Sequence, residues 1–196
     1  MSAPAARRLI VGITGASAPH YGVRLLEVLR EHTDVEIHLV VSRGAHATIR
    51  NELGRDPAEV AALGHVLYDD GDMAAAISSG SFLTAGMIVA PCSIKTLSAI
   101  ANSYNDNLIA RAADVCLKER RRLVLVVRET PLHLGHLRLM ERVTESGAVV
   151  LPPVPGFYHR PQTIADIVDH TVGKVLDVLG IHDHELFRRW SGPDGG

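Results

Sequence analysis

Short apolar runs alternate along the chain with longer segments in which apolar residues recur every three or four positions. The short runs are rich in valine and isoleucine, which is typical of strands buried on both faces. They lie at Leu9–Ile13, Val35–Val41, Met87–Ala90, Leu123–Val127 and Val149–Leu151, with a weaker candidate at His65–Tyr68. The longer segments have the spacing of amphipathic helices and cover Tyr21–Glu31, Gly44–Leu53, Ser93–Ala101, Leu108–Arg121, Leu134–Ser146 and Thr163–Leu179.

This alternation predicts a doubly wound α/β fold, flavodoxin-like or Rossmann-like, with a mostly parallel sheet and helices on both faces. Right-handed crossovers place the loops that follow the strand carboxyl ends along one edge, where ligands bind in such folds. Because 196 residues suffice for one domain of ordinary size, the chain 1–196 is expected to form a single domain. Its core is expected at about 8–180 and its C-terminal tail at 181–196.

Composition narrows the class of function. Basic and acidic residues nearly balance, at 20 and 22, so the chain lacks the basic excess of most nucleic-acid-binding domains. No apolar stretch approaches the length of a membrane span, and the first residues lack a secretory apolar run. Cys92 and Cys116 have neither a metal-ligand nor a redox spacing. We therefore expect a cytoplasmic protein that binds neither nucleic acid nor membranes.

The loop after the first strand has the composition of an anion site. It reads GITGASAPH from Gly12 to His20, and such small residues let backbone N–H groups and a helix N-terminus approach a phosphate. Close packing of strand against helix would select the same residues, so the loop alone favours neither explanation. It departs from the pattern G-x-G-x-x-G, and the second strand ends in Ser42 and Arg43 without an acidic residue for a ribose hydroxyl. FMN is therefore favoured over NAD.

The chain contains 11 histidines, which raises the question of a metal site. His133 and His136 flank a predicted helix start without a third ligand, and His182 and His184 lie in the C-terminal segment. This spacing does not support a metal centre, and none is expected.

Eight runs of residues, in order along the chain, resemble the flavin prenyltransferase family. Any one of them is weak evidence, but the set is specific and covers the chain from Leu9 to Trp190. The runs are GITGAS at 12–17, SSGSF at 78–82, APCSIKTL at 90–97, NLI at 107–109, RAADV at 111–115, LKERR at 117–121, RETPL at 128–132 and PGFY at 155–158.

The resemblance implies a homo-oligomer, typically a dodecamer, with FMN and prenyl sites at subunit interfaces. It implies that a dimethylallyl group passes from dimethylallyl monophosphate to N5 of reduced FMN and closes a ring through C6 without a metal. The prenylated FMN would then serve a UbiD-type decarboxylase that acts on an aromatic or unsaturated acid.

The resemblance also assigns residues to the phosphate of the prenyl donor. Arg111 and Lys118 are seven positions apart on one face of a predicted helix, with Asp114 beside them. Spacing alone favours a solvated face paired with Asp114, whereas the resemblance favours phosphate binding. Fixed cations would replace a metal in stabilising the departing phosphate. The full set is Ser79, Gly80, Arg111, Lys118, Arg128, Tyr158 and Lys174.

Four residues are assigned to catalysis by the resemblance: Ser17, Glu52, Glu129 and Tyr158. Glu129 matches the acid/base that protonates the leaving phosphate; otherwise it would be a strand-end carboxylate paired with Arg128. Ser17 matches the serine at the flavin N5 edge, and it is also a candidate helix N-cap. Glu52 matches a further active-site glutamate, and Tyr158 would otherwise be an ordinary half-buried ring.

For FMN, the resemblance implies contacts along the same predicted edge. Ser93 and Thr96 match hydroxyl donors and are equally good candidates for helix caps. Trp190 matches a tryptophan that folds over a neighbouring site, although simple anchoring of the tail would also explain it. The predicted FMN contacts are Gly15, Ala16, Ser17, Ser42, Ser93, Thr96 and Arg128.

Two departures from the family pattern keep an alternative open. Ala18, followed by Pro19, replaces the usual glycine after the active serine, which narrows or stiffens the loop. Lys174 stands where several relatives carry arginine, and lysine lacks the planar fork. The alternative is a non-catalytic FMN-binding partner or carrier subunit of an aromatic acid decarboxylase. A flavin-dependent decarboxylase of cysteine residues is disfavoured, because its P-x-M-N-x-x-M-W clamp is missing.

Overall fold

A parallel sheet forms the centre of the computed structural model, which describes residues 7–182 and 184–187. Within these ranges the sheet has six strands in the order β3-β2-β1-β4-β5-β6, and every paired neighbour is parallel. The predicted doubly wound α/β fold is confirmed, and all the predicted strands occur, β2 with the predicted bounds and the others with one or both ends shifted. The strands are β1 (Arg7–Ile13), β2 (Val35–Val41), β3 (Val66–Tyr68), β4 (Gly86–Cys92), β5 (Arg122–Val127) and β6 (Val149–Val150).

The helices of the described ranges follow the predicted pattern except where they are short. A π-helical turn at Ile49–Leu53 follows α2, and a 3₁₀ turn occupies Ala76–Ser78. The pattern missed this turn and α3, because neither is long enough to show a period. None of these helices has the length and hydropathy to cross a bilayer. The α-helices are α1 (His20–His32), α2 (Arg43–Thr48), α3 (Pro57–Ala61), α4 (Ile94–Ala101), α5 (Leu108–Lys118), α6 (Leu134–Glu145) and α7 (Ile164–Val178).

The end of α5 differs from the prediction, which carried this helix on to Arg121. Arg120 adopts a left-handed φ of 56°, and the Arg121 amide donates to the carbonyl oxygen of Cys116 at 2.8 Å. A left-handed residue with such a back-bond is a common way to end a helix. The charged run after Lys118 therefore turns into β5 instead of extending the helix.

The sheet separates two hydrophobic clusters, because successive strand residues point to opposite faces. Leu9, Val11 and Ile13 of β1 belong to the cluster that α1 and α7 cover. Ile10 of β1 belongs to the other cluster, with Met87 of β4 and residues of α4, α5 and α6. Burial on both faces explains why β1 reads as a continuous apolar run.

Gly22 lets α1 lie directly on the sheet. A Cβ atom at Gly22 would lie 2.1 Å from the carbonyl oxygen of Ala90 in β4 and 3.1 Å from the side chain of Ile13. The helix backbone thus approaches β4 more closely than any other residue type allows. This close approach also fixes the position of the loop that leads from β1 into α1.

The strand order reverses between β1 and β4. The chain passes from β1 to β2 on one side, and β3 is followed by β4 on the other side. Ligands of open parallel sheets bind in the crevice at the carboxyl ends of the strands beside such a reversal. The pairing of β4 with β5 is irregular between Val89 and Cys92, which redirects the strand at this same edge. Topology alone therefore locates the expected site after β1 and β4.

Replacement Gly22→Ala should lower the free energy of unfolding by about 1–3 kcal/mol, because the added methyl group forces α1 away from Ala90. Denaturation by urea at a fixed protein concentration measures the effect. Gly44→Ala is the matched control, since its Cβ would meet the Cα of Gly15 at an ordinary 3.4 Å. Equal effects of the two replacements would contradict the close approach of α1.

Candidate active site

A buried threonine joins the two loops beside the strand reversal. The hydroxyl of Thr14, a residue 1% exposed, donates to the carbonyl oxygen of Pro91 at 2.7 Å and accepts from the amide of Ser93 at 2.8 Å. The Thr14 amide donates to the same carbonyl oxygen at 3.2 Å. The loop after β1 is thereby tied to the start of α4. The sequence analysis did not single out Thr14, and the available signal was a hydroxyl at the end of an apolar strand.

Two of the predicted FMN-binding serines begin helices at this edge. The Ser42 Oγ accepts from the amide of Ala45 in α2, and the Ser93 Oγ accepts from the amide of Thr96 in α4, both at 3.3 Å. The Ser93 hydroxyl in turn donates to Oγ1 of Thr96 at 3.1 Å. Ser93 is therefore a cap, whereas Thr96 lies inside α4. This relay leaves the hydroxyl proton of Thr96 available to a ligand.

Gly15 and Gly44 bring the ends of β1 and β2 together. A Cβ atom at Gly15 would lie 2.9 Å from the carbonyl carbon of Gly44. The Ser42 amide holds this arrangement by donating to the carbonyl oxygen of Ile13 at 2.9 Å. Ala16, the residue after Gly15, is 8% exposed. Backbone without side chains is what lets a phosphate reach N–H groups.

Ser17 does not cap α1, so that interpretation is wrong. The N-cap residue is Pro19, which makes no side-chain capping bond. The Ser17 Oγ instead donates to Oε2 of Glu52 at 3.0 Å, and the same carboxylate oxygen accepts the amide of Ala18 at 2.7 Å. Glu52 lies on the π-helical turn Ile49–Leu53, an element frequent at functional sites. The structure thus brings two predicted catalytic residues into direct contact.

Ala18 has a backbone conformation that favours glycine. Its φ is 68°, in the left-handed region that costs other residues about 1–2 kcal/mol. The hydrogen bond from its amide to Glu52 is one interaction that holds it there. The departure from glycine therefore stores strain in the loop that carries Ser17.

Arg128 follows β5 at the same edge of the sheet. Its amide donates to the carbonyl oxygen of Cys92 at 3.1 Å, which continues the pairing of β4 with β5. Burial raises the pKa of Tyr21 in α1, while a hydrogen bond with Thr171 and the charge of Arg128 oppose that shift. The charge of Arg128 therefore influences a side chain of α1. The sequence analysis gave no role to Tyr21, whose partners lie on distant segments.

Glu129 is exposed beside Arg128. Its Oε1 accepts the amide of Thr130 at 2.9 Å. Among the ion pairs of the described residues, none joins Glu129 to Arg128. The alternative of a carboxylate neutralised by its neighbour is therefore not what the structure shows. The exposed carboxylate of Glu129 can therefore meet a ligand.

Tyr158 lies in the loop before α7, where 57% of its surface is exposed. Its hydroxyl oxygen is 2.6 Å from Nε2 of His170 in α7. Lys174 follows one turn later on the same helix and is exposed. Its charge contributes to the lowered pKa of His170, after burial and the nearby His159. The structure thus gathers Tyr158 and Lys174 around one buried histidine.

Arg111, another predicted phosphate ligand, lies in α5. Its Nε donates to the carbonyl oxygen of Ser78 at 3.0 Å, and its Nη1 lies 3.3 Å from Oδ2 of Asp114. The pairing with Asp114 that the spacing predicted is therefore present. This pairing holds the guanidinium over the face of α5.

Lys118, at the other end of α5, pairs with Glu119. Gly80 lies against this pair, since a Cβ atom there would lie 2.7 Å from the Lys118 Nζ. The Ser79 hydroxyl is 2.9 Å from that of Ser81 in the same loop. Ser79, Gly80 and Lys118 therefore lie in one patch. We call these three residues and Arg111 the α5 patch.

A single chain does not bring Lys118, at the far end of the α5 patch, to the carboxyl edge. Lys118 precedes the first residue of β5, and Arg128 follows the last residue of β5. A strand of six residues, rising about 3.3 Å per residue, puts about 20 Å between its ends. Lys118 and Arg128 of one chain are thus too far apart to bind the same phosphate.

Among the described residues, no group of three or more His, Cys, Asp or Glu side chains is arranged to hold a metal ion. Cys92 and Cys116 are buried and unpaired, and burial raises the pKa of each thiol to about 12. Such thiols are inert at neutral pH. Trp190 lies outside the described residues.

Comparison with known proteins agrees with this geometry. The sequence profile of the Flavoprotein family matches residues 3–179. The flavin prenyltransferase UbiX of Escherichia coli (strain K12) is 60% identical over 187 residues, which cover 95% of this chain and 99% of the relative. The crystal structure of AnUbiX (PadA1) in complex with FMN and dimethylallyl pyrophosphate has a TM-score of 0.92 and 51% identity, covering 95% of this chain and 98% of that one.

A second solved structure is a dodecameric FMN-dependent Ubix-like decarboxylase from Escherichia coli O157:H7. Its TM-score is 0.91 at 51% identity, over 94% of this chain and 100% of that chain. The similarity therefore extends over the sheet, the strand-end loops and the α5 patch together.

Replacement Ala18→Gly should leave the protein as stable as before or stabilise it by up to about 1 kcal/mol, because relief of the left-handed strain outweighs the entropy of the unfolded glycine. Thermal unfolding measures this as a rise of up to about 2–4 °C. Ala16→Gly in the same loop is the control and should destabilise, since its methyl group is buried. A loss of stability in both variants would argue against strain at Ala18.

Proposed function

The chain belongs to the flavin prenyltransferase family, and we propose that it transfers a dimethylallyl group from dimethylallyl monophosphate to reduced FMN. The observation that carries the residue assignment is the contact of Ser17 with Glu52 beside the strand reversal. A pure binding protein has no chemical use for a hydroxyl held by an exposed carboxylate at that position. The product, prenylated FMN, is the cofactor of a UbiD-type decarboxylase.

The strand-end loops fit the phosphate of FMN. Gly15 and Gly44 approach so closely that a Cβ atom would fill the space between them. The start of α4 adds backbone N–H groups without helical partners and the positive end of a helix dipole. We assign the hydroxyls of Ser42, Ser93 and Thr96 to this phosphate. The backbone of Ala16 and the side chain of Arg128 complete the set.

Reduced FMN supplies the nucleophilic N5 and the C6 that closes the new ring. Ser17 is assigned to the proton at the N5 edge, because its Oγ can accept a proton there while it donates its own to Glu52. The hydrogen bond from the Ala18 amide fixes the Glu52 carboxylate during this exchange. Ser17 and Glu52 therefore act as a two-residue proton relay.

The leaving phosphate is assigned to the residues after β5 and on α7. Arg128 and Lys174 supply fixed positive charge, which stabilises the phosphate more as the carbon–oxygen bond breaks. The Tyr158 hydroxyl donates to one phosphate oxygen. Glu129 gives its proton to the phosphate as the carbon–oxygen bond breaks and is left ionised, and it takes up a proton again before the next turnover. No sequence of steps here requires a metal ion.

The α5 patch of a second copy completes the phosphate site. One chain separates Lys118 from Arg128 by the length of β5, while the Escherichia coli O157:H7 relative is a dodecamer. We assign Ser79, Gly80, Arg111 and Lys118 to the phosphate bound at a neighbouring subunit's carboxyl edge. The present partners of these cations, Asp114 and Glu119, neutralise the patch until the phosphate arrives. A homo-oligomer is therefore part of the proposal, with a dodecamer as the expected size.

The relative AnUbiX (PadA1) was crystallised with dimethylallyl pyrophosphate. The diphosphate is therefore tested as a prenyl donor beside the monophosphate. The buried, unpaired Cys92 and Cys116 support a reducing compartment, and we assign the protein to the cytoplasm.

Anaerobic incubation of the protein with reduced FMN and dimethylallyl monophosphate should yield a flavin heavier by one five-carbon prenyl unit, measured by mass spectrometry. Glu129→Gln should slow the transfer by about 10²–10⁴-fold while FMN stays bound, because the leaving phosphate loses its proton donor. Glu145→Gln, an exposed carboxylate at the end of α6, is the control. Unmodified flavin retained by assembled protein with either donor would favour the carrier alternative, and a normal rate in Glu129→Gln would remove that residue from its role.

Mixed oligomers test the shared site. Glu129→Gln and Lys118→Ala should each be nearly inactive, whereas co-expression of the two should restore about one quarter of the wild-type activity per site. The reason is that random mixing in a symmetric oligomer unites an intact carboxyl edge with an intact α5 patch from another subunit at that frequency. Purification through two different tags isolates the mixed species. Activity no higher than that of the two separate variants would place all these residues on one chain.

A further inference from the structure

A histidine lies behind Tyr158, and the chemistry proposed above gives it no role. His170 is 8% exposed, and its Nε2 is 2.6 Å from the tyrosine hydroxyl oxygen. The two rings are nearly perpendicular, at 77°, with centroids 5.4 Å apart. Because Tyr158 is more than half exposed, this hydrogen bond connects a buried imidazole to a group that a ligand can reach.

Packing fixes the orientation of the imidazole. His159 stacks on His170 with ring centroids 4.4 Å apart and an interplanar angle of 6°. Phe187 meets the ring edge-on at 4.9 Å. A Cβ atom at Gly156 would lie 3.2 Å from the Tyr158 ring and 3.4 Å from the His170 ring, so the backbone closes a further side. Such a confined ring can aim one nitrogen at one partner.

The surroundings keep the imidazole neutral. Burial lowers the pKa of His170, and electrostatic interactions with His159 and Lys174 act in the same direction. Tyr158 and His159 face the ring from the loop, Lys174 from the same helix, and Phe187 contributes only an apolar edge. A neutral imidazole carries one N–H, and the hydrogen-bond partners of the two ring nitrogens decide which nitrogen carries it.

We propose that His170 is a positioning residue for prenyl transfer: its Nε2–H donates to the hydroxyl oxygen of Tyr158 and leaves the tyrosine proton to the phosphate of the prenyl donor. This inference rests on the proposed role of Tyr158. A tyrosine hydroxyl has a single proton. If that proton went to His170, the oxygen would offer only lone pairs to a negatively charged phosphate. Donation by His170 avoids this repulsion and strengthens the outward O–H as a donor.

His159 cannot replace His170 in this role. Both of its ring nitrogens are buried without a hydrogen-bond partner among the described residues. It makes no hydrogen bond with the pair and contacts His170 by stacking. His159→Phe preserves the flat ring and removes the electrostatic interaction with His170, while burial, the largest cause of the lowered pKa of His170, remains. This variant separates the effect of ring packing from the effect of the donated proton.

His170→Leu should raise the KM for dimethylallyl monophosphate about 5–10-fold, in line with the loss of one hydrogen bond to a group that contacts a charged ligand. The affinity for FMN should not change, and kcat should change less than KM. His170→Gln keeps an N–H donor and should restore most of the wild-type KM, while His159→Phe should keep it. Failure of the glutamine variant to rescue would overturn the inference, as would an unchanged KM in His170→Leu.

A double-mutant cycle with Tyr158→Phe separates the two proposals. If His170 acts through the tyrosine hydroxyl, the combined variant should have the KM of Tyr158→Phe alone, whereas additive effects would contradict the inference. An unchanged KM in Tyr158→Phe would remove Tyr158 from phosphate binding and His170 with it. A raised KM in Tyr158→Phe without one in His170→Leu would overturn the role of His170 only. If His170→Leu does not assemble, His170→Asn takes its place, because its shorter amide does not span the same distance.

Discussion

The close packing of β1, β4 and α1 is the constraint on which the site depends. Gly22 brings α1 against the backbone of β4, and Thr14 ties the end of β1 to the start of α4. The loop between β1 and α1 must then turn within a few residues, and it does so through the left-handed conformation of Ala18. That turn directs Ser17 away from the helix start and toward Glu52. Strain at Ala18 and the contact of Ser17 with Glu52 are therefore two results of one packing arrangement.

The direction of α5 explains why Lys118 lies far from Arg128 within a single chain. This helix runs antiparallel to the strands, so its first turn lies toward the carboxyl edge and Lys118 lies near the amino ends of the strands. The residues assigned to the FMN phosphate lie on strand-end loops or in the first turn of α4 of one chain. The residues assigned to the prenyl phosphate are divided between that edge and the α5 patch. On this assignment flavin binding needs one subunit, whereas transfer needs at least two.

Sequence reasoning located the strands because buried parallel strands read as unbroken apolar runs, and it located the long helices because they show a period. It missed α3, which is only one turn long, and it gave Ser17 a capping role from local preference alone. The contacts of Ser17 with Glu52 and of Tyr158 with His170 join separate elements, and no periodicity encodes them. The resemblance identified Glu52 but not Thr14, Tyr21 or His170. Their partners become visible only when the sheet brings distant segments together.

The two departures that suggested a carrier protein are both accommodated by their neighbours. Ala18 costs backbone strain, but its amide binds the same Glu52 oxygen that holds Ser17, so the strained residue helps to fix the carboxylate. Lys174 lacks the planar fork of arginine. It attracts a phosphate by its charge but does not fix the orientation of the phosphate. On the proposed assignment, Tyr158 supplies the missing direction, because its hydroxyl oxygen is held by His170. A directional donor beside a lysine can thus do what one arginine does alone, and neither departure removes a group that the transfer needs.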